Sequence, residues 1–292
     1  MQYLNELLST LPCSYLQLAI EGHKDNVEEL RELYPSLAGK YELYQDIILN
    51  YRRNLVNSDM SNNKDLLINY YEHAPTLLNK ELVRRRNAHS LYQCPYCGNP
   101  QRPDTLDHFI PKSSWPEFSI FSNNLVPQCR ACAPIKGEHY FCNETETAKF
   151  IHPFYFDLLQ KFRFKIVVNF NTVSNTPDFI ISLTRREIVS DEEKSRVLLH
   201  VKNLKIKSRI HVFCHEEYRR WSNRLSKSRF DIRVALQQRL SETPAENVGL
   251  DWKSALYQGL IDNMLVINHL HSLRPNENIN LDLENIEELE IE

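Results

Sequence analysis

The chain has 292 residues, enough for one large domain or two smaller ones, and its 42% hydrophobic content supplies a real core. Lys plus Arg is 35 and Asp plus Glu is 38, a formal charge of −3, so any contact with nucleic acid must come from a local patch rather than an all-over basic coat. Six glycines, none in a Walker or Rossmann spacing, exclude nucleotide binding through those loops, and no run of about 18 apolar residues offers a membrane span.

The first residues, Met1-Gln2-Tyr3-Leu4-Asn5-Glu6, lack the basic start and cleavage site of a signal peptide, so a cytoplasmic location is expected. Residues 1–88 have the spacing of helices. Leu16, Ile20, Val27, Leu30 and Leu33 recur near the helical period, a second amphipathic stretch covers 46–56, and a third covers 64–86 with a break at Ala74-Pro75. Residues 59–63 between them are loop-like. Residues 89–155 are rich in Cys, His, Pro, Asn and aromatics, with two short strands expected near 105–109 and 124–127 and a helix from about Cys132. β-Branched and aromatic runs at 162–170 and 178–183 flank a turn-like segment and predict a hairpin. Helices resume at a capping box, Ser190-Asp191-Glu192-Glu193.

Charge is unevenly spread beyond that point. Residues 201–240 hold eleven Lys or Arg against three acids, with Phe213, Tyr218, Trp221 and Phe230 interleaved. Such a segment suits a phosphate backbone with stacked bases, and equally a solvated helix with its aromatics packed inward. Residues 275–292 hold seven acids and no base, the composition of a disordered acidic tail.

Seven cysteines in a chain of this size argue against a disulfide framework. Four form two knuckles, Cys94-Pro95-Tyr96-Cys97-Gly98 and Cys129-Arg130-Ala131-Cys132. Each pair grips one edge of a tetrahedron, and together they fill the four positions of a structural Zn²⁺ site. A zinc protease is disfavoured, since no His-Glu-x-x-His helix is present and the zinc has no open position. Between the knuckles lie Leu106-Asp107-His108-Phe109-Ile110-Pro111-Lys112, Trp115-Pro116-Glu117-Phe118-Ser119 and Asn124-Leu125-Val126-Pro127.

This order of first knuckle, Asp-His, Asn-Leu and second knuckle resembles zinc-containing HNH (ββα-metal) endonucleases, and more narrowly the nuclease subunit of bacterial Septu-type anti-phage systems. The resemblance covers roughly residues 90–155. It implies metal-dependent hydrolysis of phosphodiester bonds in DNA or RNA, an ATPase partner subunit, His108 as general base, Asp107 as ligand to a catalytic divalent cation such as Mg²⁺, and Asn124 holding the His108 imidazole through its side-chain carbonyl. Imidazole chemistry suits the first role and a hard carboxylate oxygen the second. Lys112, Arg130 and Lys136 are candidate phosphate contacts, each equally well a solvated charge. His152 is expected to be structural.

One residue departs from the family pattern. The position directly after the second knuckle is usually Asn or His and supplies the cation's second protein ligand; here it is Ala133, whose methyl group cannot coordinate. A weakened, misplaced cation is expected, and errors of ångström size can cost about 10²-fold in rate. Two origins remain open: an engineered substitution, favoured by the otherwise complete Asp107, His108 and Asn124, or a natural relative that has lost its activity or moved it to Glu138 or His139. The overall expectation is an α+β protein with a helical region (1–88), a zinc-stapled ββα nuclease core (89–155), a hairpin with basic helices (156–274) and the acidic tail (275–292). The competing function class is a catalytically inactive, zinc-stabilised subunit that binds nucleic acid or a partner.

Overall fold

A computed structural model describes residues 1–87 and 90–275, and its first third is helical. Helices α1 (Ser14–Ile20), α2 (Val27–Leu49), α3 (Lys64–Glu72) and α4 (Thr76–Asn87) follow one another, with the break between the last two at Ala74-Pro75 as expected. The first expected stretch, 16–33, is divided between α1 and α2, and its second part is joined to the stretch expected at 46–56. One helix runs through Pro35 and buries Leu30, Leu37, Tyr41, Tyr44 and Ile48 as a single stripe, then stops at Leu49. The tyrosines complete the helical period, because an aromatic ring can be buried like an aliphatic chain when its hydroxyl finds a partner.

Strands β1 (Thr105–His108) and β2 (Leu125–Gln128) pair antiparallel, with Asp107 opposite Val126 and His108 opposite Leu125. The expected helix after the second knuckle is a single turn, α5 (Ala133–Lys136), ended by Gly137 at a φ of 50° that favours glycine. A two-residue pair, β3 (Phe141–Cys142) with β4 (Thr147–Ala148), follows it. The expected hairpin is present as β5 (Phe162–Asn171) and β6 (Thr176–Arg185), each burying alternate residues from Phe162 and from Pro177 respectively.

Helices α6 (Asp191–Asn203), α7 (Ile206–Leu225), α8 (Ile232–Ser241), α9 (Trp252–Ile261) and α10 (Met264–Ser272) complete the chain. The capping box forms at Ser190 and Glu193. Aromatics of the basic segment face inward: Trp221 is buried near Phe230 and Tyr257, and Phe213 packs on Trp252 with centroids 5.9 Å apart. Trp221 thus follows the inward-packed alternative, while Phe213, Tyr218 and Phe230 are half-buried. Among the described residues the buried side chains form one continuous cluster drawing on the N-terminal helices, the cysteine region and the C-terminal helices. The acidic stretch from residue 276 onward lies outside the described residues. No described helix is long and apolar enough to cross a membrane.

Candidate functional site

The two knuckles converge. Ligand atoms of Cys94, Cys97, Cys129 and Cys132 all lie within 4.8 Å of one another, and all four residues are buried. The Sγ–Sγ separations are 3.9 Å for Cys94–Cys132 and 3.8 Å for Cys97–Cys129. A tetrahedron with zinc–sulfur bonds of about 2.3 Å has edges of about 3.8 Å, so the donor set fits Zn²⁺ with no position left open. Gly98 makes the first knuckle possible: its φ is 71°, and a Cβ there would lie 2.6 Å from Phe164 and 2.7 Å from the Leu250 carbonyl. Behind the knuckle, Trp252 donates its indole N–H to the Cys97 carbonyl at 2.6 Å.

A side chain with no local signal in the sequence completes this centre. Arg209 of α7 places Nη1 3.4 Å from Cys132 Sγ, and Nη2 3.5 Å from Cys97 Sγ and 3.7 Å from Cys129 Sγ, with Trp252 5.2 Å beneath it. Burial works against its charge, but the surrounding sulfurs more than offset that and hold its pKa above the ordinary arginine value. Four thiolates around one divalent ion leave a net negative charge, which a guanidinium at hydrogen-bond range offsets. In the sequence Arg209 was one of eleven basic residues in a basic run, with nothing local to separate it from the rest.

Asp107 and His108 occupy neighbouring positions of β1 and meet different neighbours, as alternation along a strand requires. Asp107 is buried, accepting from the Tyr96 hydroxyl at 2.9 Å and pairing with Lys136 Nζ at 3.0 Å. Lys136 is itself fully buried and donates further to the carbonyls of His108 and Phe109 at 3.1 and 3.2 Å. Burial pushes the Asp107 carboxyl above the usual carboxylate value, with Lys136 and Tyr96 pulling against it. Lys136 is thus no phosphate contact: its charge is spent inside the protein. Lys112 pairs with Glu72, and Arg130 pairs with Asp104 at 2.6 Å on the surface.

His108 is half-buried and sits edge-on to Tyr71, with ring centroids 4.4 Å apart. Its Nε2 lies 2.9 Å from the Ser119 carbonyl. A carbonyl only accepts, so Nε2 carries the proton and Nδ1 keeps its lone pair. Burial lowers its pKa to about 3, so the ring is neutral around pH 7.

The expected contact between Asn124 and His108 is not formed. Asn124 is fully buried, and its Oδ1 accepts from the Tyr44 hydroxyl at 2.8 Å and the Ile110 N–H at 2.7 Å, while Nδ2 donates to the carbonyls of Ile110 and Phe118, both at 3.0 Å. All its capacity goes into pinning the loop between the strands to α2. It acts on His108 only by fixing the loop that carries Ser119. His152, as expected, is structural: it is fully buried with Nε2 3.1 Å from the Asn123 carbonyl and Nδ1 accepting from Phe154 N–H at 3.2 Å. Ala133 begins α5 half-exposed, and Glu138 and His139 lie exposed beyond Gly137. Among the described residues neither of them pairs with Asp107.

A stretch of 119 residues, 40% of this chain, is 39% identical to "Protein ea31" of Escherichia phage lambda. The match spans 39% of that protein's own length. No family model matches the chain, and no solved structure does.

Proposed function

We propose that the chain is an HNH-type endonuclease of the Septu kind, a cytoplasmic nuclease subunit working with an ATPase in anti-phage defence, and that Ala133 weakens its hydrolysis of DNA or RNA. The observation that carries this reading is His108: it stands at the end of a two-stranded hairpin stapled by the cysteine cluster, with Nε2–H tied to Ser119 and Nδ1 left as a base. In the reaction His108 Nδ1 takes a proton from the attacking water; burial disfavours the imidazolium in the free protein, so the Ser119 carbonyl and the negative charge of the bound phosphate have to steady it. Asn124 and Tyr44 keep that carbonyl in place by holding the loop.

A divalent cation, when bound, supplies charge neutralisation at the phosphate. The residues present fit it poorly. Asp107 is buried and already paired with Lys136, and Ala133 offers no donor, whereas the cysteine set fits zinc. That same ion pair favours the second reading, an inactive subunit that binds nucleic acid or a partner. Comparison of the chain with Ala133→Asn on plasmid DNA, single-stranded DNA and tRNA, with and without Mg²⁺, decides between them. Mg²⁺-dependent cleavage gained by the Asn variant and abolished by a further His108→Ala supports the nuclease. Absence of cleavage in both folded, zinc-loaded proteins means that activity needs the ATPase partner or that the chain is the binding subunit.

A further inference from the structure

Lys136, Arg209 and Arg196 show what this fold does with cations removed from solvent, and Arg196 is the exception. It lies in the second turn of α6 and is 6% exposed, yet among the described residues it makes no ion pair. Its Nε and Nη2 are buried without hydrogen-bond partners. Its guanidinium carbon sits 3.4 Å over the Tyr51 ring and 4.4 Å over the Phe156 ring, so the aromatic contacts fix its position and leave N–H donors unspent. Buried charges are ordinarily paired, because the lost hydration must be replaced.

Arg196 lines a cavity of about 600 Å³ together with Arg52, Thr147, Ser195 and Lys202. Thr147 Oγ1, in the same wall, is also buried without a partner. Of the two acids there, Glu192 is taken by Arg52 at 2.8 Å and by the Tyr51 hydroxyl, and Glu146 is exposed at the turn between β3 and β4. A second cavity of about 590 Å³ shares Leu198 and Lys202 with the first and adds Lys205 and Lys207 over a floor of Phe179 and Ile181. Lys202 thus links the arginine's cavity to one that carries two further lysines.

We propose that this is a nucleic-acid phosphate site: Arg196 and Thr147 seat one phosphate of a single strand, and the following nucleotides pass Lys202 toward Lys205 and Lys207. The first cavity, at about 600 Å³, falls in the size range of small-ligand pockets, and guanidinium with a hydroxyl is a donor set matched to phosphate oxygens. The inference stands apart from hydrolysis, since it concerns binding without a divalent cation and residues remote in sequence from Asp107 and His108.

The test is fluorescence anisotropy with labelled single-stranded DNA and RNA oligonucleotides in Mg²⁺-free buffer, with inorganic phosphate and AMP as competitors. Arg196→Met is expected to weaken oligonucleotide binding at least about tenfold and to lower the salt slope by about one. Ser195→Glu places a carboxylate in the cavity; it is expected to abolish binding while the thermal midpoint is kept or raised, so the test stands even if Arg196→Met folds poorly. Binding unchanged in both variants, or no binding by the parent chain, overturns the site. AMP displacing the labelled strand as effectively as an unlabelled strand does would overturn the strand path and leave a mononucleotide pocket.

Discussion

Lys136 and Arg196 are both buried cations, and the molecule treats them oppositely. Lys136 reaches a carboxylate and two carbonyls within about 3 Å, so its charge is used up in holding α5 against β1. Arg196 has two ring contacts and no carboxylate, with N–H donors left over beside an open cavity. The difference separates architecture from binding. A buried charge satisfied from within locks two elements together, whereas one left unsatisfied marks where a ligand completes the set. By this measure the Asp107 site is closed as it stands, and the Arg196 cavity is ready.

The largest effect expected lies at the cysteine cluster, which sets the frame for both. Structural zinc contributes on the order of 10 kcal/mol in small zinc domains. Purified chain is expected to hold one zinc by elemental analysis, and Cys129→Ser is expected to lower the thermal midpoint more than any other single change named here. A metal-free chain with an unaltered midpoint would remove zinc from the account. Next comes the pair of cations itself. Lys136→Met strands Asp107 in the interior and is expected to cost about 3–5 kcal/mol in denaturant unfolding, most of it regained in the double variant with Asp107→Asn. Arg196→Met removes a charge that makes no ion pair among the described residues and is expected to cost only about 1–2 kcal/mol, the scale of its ring contacts. Equal losses at the two positions would erase the distinction.

Much of this was legible in the sequence for identifiable reasons. The knuckles, the β1–β2 strands, the β5–β6 hairpin and the α6 capping box each rest on residues close together in the chain, where spacing alone fixes geometry. The long run of α2 was not legible, because Pro35 and the tyrosines of its buried stripe disguise the period. Partnerships across the chain were not legible either. Asn124 bonding to Tyr44 spans 80 residues and Arg209 reaching Cys97 spans 112, and nothing local distinguishes either side chain from a surface one. Lys136 read as a phosphate contact for the same reason: its burial depends on where one short turn lands against β1.

The smallest effect concerns a neutral group in the same shell. His200 of α6 is fully buried; its Nδ1 accepts from Ile151 N–H at 3.1 Å and its Nε2 donates to the Tyr96 carbonyl at 2.8 Å. Burial lowers its pKa from 6.5 to about 4, with the Tyr96 carbonyl pulling the other way. Since the folded-state value is depressed, between pH 6.5 and 4 the unfolded chain takes up a proton that the folded chain refuses. The contribution is therefore complete above pH 6.5 and shrinks as the pH falls, by about 1.4 kcal/mol per unit, or about 2 kcal/mol at pH 5. Gln can accept and donate at the same two points without titrating. Urea unfolding of His200→Gln is thus expected to show a stability slope shallower by about one proton over this range. His108 and His152, shifted the same way, keep part of the slope in both proteins, and acid loss of zinc is common to both, so the difference isolates His200. Identical slopes would mean that the folded protein protonates His200 freely, and that α6, which carries Arg196 one turn earlier, opens to solvent more easily than its packing implies.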